Sequence, residues 1–199
     1  MEGWVVWLTG LPGSGKTTIT KKLLEKLERE NIQAEHLRMD EIRDILTPEK
    51  KYTEEERDHA YRALVLIAKL LSKNGINVII DATGHRRKWR ELARELIPNF
   101  FEVYVKCPLE VCMEREAKRR DNLVLSNLYK KALRRLQTGE KVEGLGEVIG
   151  IDVKYEEPEN PELVVESDKL SPEESSGIIF KFLKIRGFKK SLKFHDEKI

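Results

Sequence analysis

Long hydrophobic runs are missing from this 199-residue chain. No stretch approaches the roughly 18 apolar residues that a membrane-spanning helix needs. Nor does a basic segment lead into an apolar run with a cleavage site near the start, so a cytoplasmic protein is expected. A dominant sign of charge is missing too: 37 basic and 35 acidic residues leave a net charge of +2. That balance does not call for nucleic acid as the partner. Cysteine occurs only as Cys107 and Cys112. With four residues between them and no histidine nearby they make a poor metal site, and two buried, reduced thiols are expected. Glutamine stands only at 33 and 137, while charged residues reach 36%, a composition that leans towards a thermophile. No internal repeat is present. Hydrophobic residues, at 40%, suffice for a globular core, and the length suits one domain.

What is present is concentrated first in residues 4–24. Trp4 to Thr9 is a short apolar run that reads as a buried strand. Gly10, Leu11, Pro12, Gly13, Ser14, Gly15, Lys16 and Thr17 then fit G-x-x-x-x-G-K-[ST] at every fixed position, with Thr18 following. Ile19, Leu23, Leu24 and Leu27 fall on one face of a helix that starts at once. Strand, glycine loop and helix thus occur in the order a phosphate-binding loop needs. The glycines let several backbone N–H groups converge on phosphate oxygens, and the helix N-terminus adds free N–H groups and partial positive charge. Lys16 is expected at the β- and γ-phosphates of a nucleotide, and the Thr17 hydroxyl on Mg²⁺. The motif points to ATP or GTP without fixing the reaction.

The remaining chain alternates strand and helix. Strands are expected over Ala34–Arg38, Ile76–Ile80, Phe101–Val105 and Glu162–Glu166. A short helix opens at Asp40 and stops at Thr47-Pro48; a long one runs from the N-cap Thr53, with Glu56 three residues on, to about Lys73. Its apolar stripe reads as Leu64, Ile67, Ala68 and Leu71. Further helices are expected over Lys88–Ile97, from Leu109, and from Ser171 to about Leu183. Residues 115–150 break the rhythm with arginines at 115, 119, 120, 134 and 135 and several glycines, and read as a mobile, Arg-rich lid. This pattern predicts a three-layer α/β fold of the P-loop, nucleoside-kinase-like type: five parallel strands with helices on both faces. One domain is expected over 1–185, with a charged tail at 186–199.

Loops after parallel strands gather on one edge, where ligands bind. Asp81 ends an apolar strand, as the acid supporting Mg²⁺ does in P-loop enzymes, though a capping aspartate reads the same way. Asp40 is placed to take a proton from an attacking hydroxyl, or to cap the helix it opens. Arg43, one turn on, suits an anionic substrate or open solvent equally. Arg57 and Arg62 read as a solvated face. Arg86 starts a helix, where a cation has no cap to serve, so an anion partner is indicated. Arg115 in the lid suits phosphate clamping. His36, His59, His85 and His195 are isolated and receive no catalytic role.

Several segments resemble the adenylylsulfate kinases, which phosphorylate the 3′-hydroxyl of adenosine 5′-phosphosulfate. Tyr52-Thr-Glu-Glu-Glu-Arg57 is similar to the family's F-S-x-x-D-R. Val103 to Cys112 resembles its strand and turn, and Leu128-Tyr-Lys-Lys-Ala132 its lid. Gly150-Ile-Asp152, Tyr155-Glu-Glu-Pro-Glu and Pro161-Glu-Leu163 resemble its G-I-D, Y-E-x-P and P-E-L in order. The resemblance spans about residues 3–168. It implies that Asp40 is the catalytic base, that Lys16 and Thr17 keep their nucleotide roles, and that Arg43, Arg57 and Arg86 lie near the phosphosulfate. It further implies Tyr52 stacked on the acceptor's adenine, Ile151 and Asp152 at its pocket, and a homodimer. The chain departs from the pattern at Arg38 and Met39 (for D-G of D-G-D), Ala60, Thr83-Gly84, Ser126-Asn127 and Val148.

Two other readings stand beside it. Asp81-Ala-Thr-Gly followed by arginines also resembles kinases with D-x-T-N there, which would act on a nucleoside, a polynucleotide 5′-hydroxyl or a small metabolite. The same four residues fit the D-x-x-G of a nucleotide-hydrolysing switch, but N-K-x-D is missing from the chain.

Overall fold

The computed structural model describes residues 2–49, 52–118, 127–140, 142 and 145–187. Arg119, Arg120, Ser126, His195 and residues 188–199 of the expected tail lie outside these. Five parallel strands form one sheet in the order β2-β3-β1-β4-β5: β1 Val5–Thr9, β2 Ala34–Arg38, β3 Asn77–Asp81, β4 Phe100–Lys106 and β5 Leu163–Glu166. The central strand β1 is fully buried, as its unbroken Val-Val-Trp-Leu-Thr run requires of a strand covered on both faces. Edge strand β2 is only half covered, and its Ala-Glu-His-Leu-Arg sequence carries polar groups accordingly.

Helices cover both faces. Trp7 and Ile80 pack beneath α3 (Glu54–Lys73) and α4 (Arg87–Leu96), against Tyr61, Leu64 and Trp89. Val6 and Leu8 point the other way, against Leu23 and Leu27 of α1 (Lys16–Arg29) and Ile179 and Leu183 of α7 (Pro172–Arg186). A third cluster joins α5 (Leu109–Ala117) and α6 (Leu128–Thr138) through Cys112, Tyr129 and Ala132, and reaches Leu145 and Val148 beyond α6. Cys107 and Cys112 are both free and buried. The short α2 (Met39–Leu46) follows β2 directly. No helix among the described residues is long and apolar enough to cross a membrane.

Local signals act where expected. Thr53 Oγ1 accepts the Glu56 amide at 3.2 Å, and Ser171 with Glu174 forms a reciprocal capping box before Pro172. The buried stripe of α3 differs from the expected one: Tyr61 and Val65 are buried with Leu64 and Ala68, whereas Ile67 is only half buried. The helix packs against both the sheet and α4, so its buried arc is wider than a single stripe and turned towards Trp89, whose ring stacks on Tyr61 at 4.2 Å.

One buried ion pair fixes the loop after β3. Arg90 Nε donates to Glu102 Oε1 at 2.6 Å, Nη2 donates to the Glu156 carbonyl at 2.6 Å, and Nη1 donates to the Gly84 carbonyl. The pair is almost wholly out of water. Removing one member of such a pair leaves an uncompensated charge. Arg90→Met is therefore expected to cost about 3–5 kcal/mol in urea unfolding, and Arg90→Met with Glu102→Leu to cost clearly less than the single change.

Candidate active site

The carboxyl ends of β1, β2 and β3 open into a cavity of about 510 Å³. The glycine loop forms one wall. Gly10, Gly13 and Gly15 all take positive φ (152°, 81° and 97°), a backbone that L side chains rarely adopt. A Cβ at Gly13 would also come within 2.4 Å of the Cys112 carbonyl oxygen, so the loop is seated on α5. Gly15 caps α1 without a side-chain bond, and no acidic residue occupies the first turn. The helix start lines the cavity, and no acidic side chain of its own first turn offsets the partial positive charge of its amides. Lys16 Nζ donates to the carbonyls of Gly10 (3.0 Å) and Leu11 (2.9 Å). Pro12, Thr17 and Thr18 line the cavity; Ser14 is buried beneath, its carbonyl accepting Ser167 Oγ at 2.7 Å.

Asp81 sits at the floor, paired in register with Leu8 of β1 and Arg38 of β2. Burial alone would raise its carboxyl pKa, but the His36 imidazole, the Lys16 ammonium and the Thr17 hydroxyl outweigh that and hold it below its ordinary value. His36 Nε2 lies 3.6 Å from Asp81 Oδ2, and Arg38 Nε 4.0 Å away, with Arg38 also paired to Glu41. An ionised carboxylate beside a threonine hydroxyl is a hard-oxygen donor pair of the kind Mg²⁺ takes.

The same cavity is lined by two further cations, Arg43 and Arg57. Asp40 and Arg43 reach it from α2, and Tyr52 and Arg57 from the start of α3. Arg43 is buried, its guanidinium carbon 5.2 Å from the Tyr52 ring centroid and its Nη1 3.6 Å from Glu56 Oε1. Arg57 is buried as well, which corrects the solvated face expected from spacing; Arg62 does stay exposed, on Asp58. The reason is tertiary. Arg57 Nε donates to the Tyr52 carbonyl at 3.1 Å, and Nη2 donates to the Glu147 carbonyl at 2.7 Å, so a strap from 90 residues later covers it. Burial and then the charge of Arg43 lower the Arg57 pKa. Tyr52 itself takes φ 55°. A non-glycine residue in that region is held by its surroundings: Glu56 Oε2 accepts the Tyr52 amide at 3.0 Å.

Residues 145–149 form the strap. Arg135 Nη1 donates to the Leu145 and Gly146 carbonyls (2.9 and 3.2 Å), and Nη2 donates to Asp152 Oδ2 at 2.5 Å. The same carboxylate oxygen accepts the Val148 amide at 2.7 Å. Asp152 thus braces the strap and does not line the cavity, and neither does Ile151, which packs into the third cluster. Gly146 lies so close to Tyr52 that a Cβ there would fall 2.4 Å from the tyrosine Cβ. Arg86 is also outside the cavity lining, its guanidinium turned to Glu156 (3.0 Å) and Glu54 (3.5 Å). Arg115 does line the cavity, with Nη2 donating to the Ser167 carbonyl at 2.7 Å.

Sequence reasoning missed three residues here. Glu116 holds the start of α6 by accepting the Leu128 amide at 2.9 Å. Glu147 contributes only a carbonyl, for which side-chain identity gives no signal. His85, passed over as isolated, is fully buried and lines the cavity. Its position one residue after Thr83-Gly84, in the loop that follows the strand of Asp81, was the available signal.

The fold and the glycine loop define a P-loop protein of the small-molecule-kinase type. The adenylylsulphate kinase family model matches residues 2–166. A probable adenylyl-sulfate kinase of Archaeoglobus fulgidus is 45% identical over 83% of this chain and 97% of its own length. One from Pyrococcus abyssi is 39% identical over 94% and 99%. Among solved structures, the Mycobacterium tuberculosis APS kinase CysC in complex with AMPPNP and APS superposes with a TM-score of 0.75 at 30% identity, covering 92% of this chain and 98% of that one. The chain belongs to the adenylylsulfate kinase family.

His85 also supplies a pH signature. Burial first, then the charges of Arg57 and Arg86, depress its pKa from 6.5 to about 3. Between those values the unfolded chain binds a proton that the folded chain refuses, so its contribution is fully present above about pH 6.5 and is lost as pH falls below it. Thermal melts at pH 7.5 and pH 5 are expected to show a larger drop for the wild type than for His85→Phe.

Proposed function

We propose that this protein transfers the γ-phosphate of Mg-ATP to the 3′-hydroxyl of adenosine 5′-phosphosulfate. The observation that carries the reading is one cavity lined both by the glycine loop with Lys16 and Thr17 and by Asp40, Arg43 and Arg57. In this reading the α1 amides and Lys16 hold the β- and γ-phosphates, with Lys16 exchanging its loop carbonyls for phosphate oxygens. Thr17 and Asp81 are the residues that would hold Mg²⁺, which neutralises charge on the transferring phosphate. Arg115 flanks the donor side and neutralises charge as the transfer proceeds.

Asp40 accepts the proton of the attacking hydroxyl, which raises its nucleophilicity as the bond to phosphorus forms. Arg43 and Arg57 hold the anionic end of the acceptor and so fix where its ribose lies relative to Asp40. Tyr52 is the aromatic surface for the base. One of its faces is shared with Arg43 and Gly146 packs against its base, so stacking there requires the strap to lift and close again, which also excludes water from the transfer.

Steady-state ADP release with and without adenosine 5′-phosphosulfate tests the reading. Wild-type turnover is expected to be stimulated strongly at micromolar acceptor. Asp40→Ala is expected to lose about 100-fold or more of that turnover with Mg-ATP binding nearly unchanged; survival within about tenfold would overturn the base assignment. Asp81→Asn is expected to raise the Mg²⁺ concentration needed for half-maximal rate by about tenfold and to leave the acceptor KM within about twofold.

A further inference from the structure

We propose that His85 is an acceptor-binding residue: its uncharged imidazole donates a hydrogen bond to the phosphosulfate end of the acceptor, beside Arg43 and Arg57. The inference rests on the adenylylsulfate reading above and adds a residue that reading does not use.

The mounting of the side chain is rigid. The Gly84 amide donates to Tyr61 Oη at 2.9 Å, and the His85 carbonyl accepts the Glu156 amide at 2.8 Å. The ring stands edge-on against Trp89, with centroids 4.9 Å apart and planes at 72°. It is fully buried, and neither ring nitrogen makes a hydrogen bond among the described residues. The nearest carboxylate, Glu54, is 3.9 Å from Nε2, too far for a hydrogen bond, and its other oxygen is engaged by Arg86 and Lys88. A buried polar group without a partner is destabilising, and a phenyl ring would pack on Trp89 without that cost. In a side chain that lines a cavity, a ligand can complete such a group.

The same signature recurs twice around the same cavity. Arg43 Nη1 and Arg57 Nη1 are buried and make no hydrogen bond, although Arg43 Nη1 keeps its longer ion-pair contact with Glu56. Three side chains that line one cavity and carry buried donors without hydrogen-bond partners call for a ligand end with several acceptor oxygens. The neighbouring guanidinium groups and burial keep the imidazole neutral, so it offers one N–H without adding a third positive charge. A phosphosulfate, with oxygens on both phosphorus and sulfur, fits two cations and one neutral donor.

The test compares His85→Phe, which keeps a ring and removes both nitrogens, with His85→Gln, which keeps a donor. Initial rates are measured against adenosine 5′-phosphosulfate and against Mg-ATP, and melting temperatures are taken at pH 7.5 with and without the acceptor. His85→Phe is expected to raise the acceptor KM by about tenfold or more, to leave the Mg-ATP KM within about twofold, and to lose most of the acceptor-induced rise in melting temperature. Its ligand-free melting temperature is expected to match or exceed that of the wild type, and His85→Gln to bring the acceptor KM back to within about threefold. An unchanged acceptor KM in His85→Phe overturns the proposal while the adenylylsulfate reading stands. A lower ligand-free melting temperature with both KM values raised alike marks a packing residue and also overturns it. A wild type that leaves adenosine 5′-phosphosulfate unphosphorylated overturns both readings together.

Discussion

The hydrogen bond from Arg57 Nη2 to the Glu147 carbonyl, 2.7 Å long, joins two parts of the chain that share no sheet or helix. A guanidinium taken out of water must find acceptors, and Arg57 finds them in two backbone carbonyls, those of Tyr52 and Glu147. That requirement shapes the part of the cavity proposed to take the acceptor. Together with the Glu56 carboxylate on the Tyr52 amide it holds Tyr52 in a left-handed conformation, draws the strap over α3, and leaves Nη1 buried without a hydrogen bond. Arg135 and Asp152 brace the strap from the other end. The strap is thus tied by side chains to its backbone carbonyls and to the Val148 amide.

The glycine loop is built on a different constraint, the close approach of backbone to backbone. Gly13 fits against the Cys112 carbonyl only because it has no Cβ, and α1 begins without a side-chain cap. Between the two sides lies Asp81, the carboxylate at the end of β3, with Lys16, Thr17 and His36 holding it ionised. Parallel register does the aligning: Leu8, Asp81 and Arg38 are neighbours across three strands. The Arg90–Glu102 pair then pins the loop that follows Asp81, and with it the position of His85.

Much of this was legible in the sequence. The glycine loop, the strand before it and the helix after it carry their own instructions, because φ > 0 at the glycines, an unbroken apolar run and an i, i+4 stripe are all local. Thr53 and Ser171 declared their helices in the same way. Asp40 was placed at the site by its position after the second strand; Arg43 and Arg57 were drawn in by resemblance, since spacing alone left Arg43 open and read Arg57 as solvated. Arg86, Ile151 and Asp152 were expected at the acceptor, yet the first is turned to Glu54 and Glu156, and the other two support the strap from outside the cavity.

What the sequence determined by itself was the class of fold, the bounds of most elements and the phosphate loop, since each depends on residues within a few positions of one another. Only the tertiary structure decided which charges are buried and which face water. Arg57 and Arg62 lie five positions apart on one helix, and the difference between them is a strap contributed by residues 145–149. His85 likewise became a cavity residue through Trp89, Tyr61 and Glu156. Desolvation depends on everything packed around a group, and no local pattern in the chain encodes it.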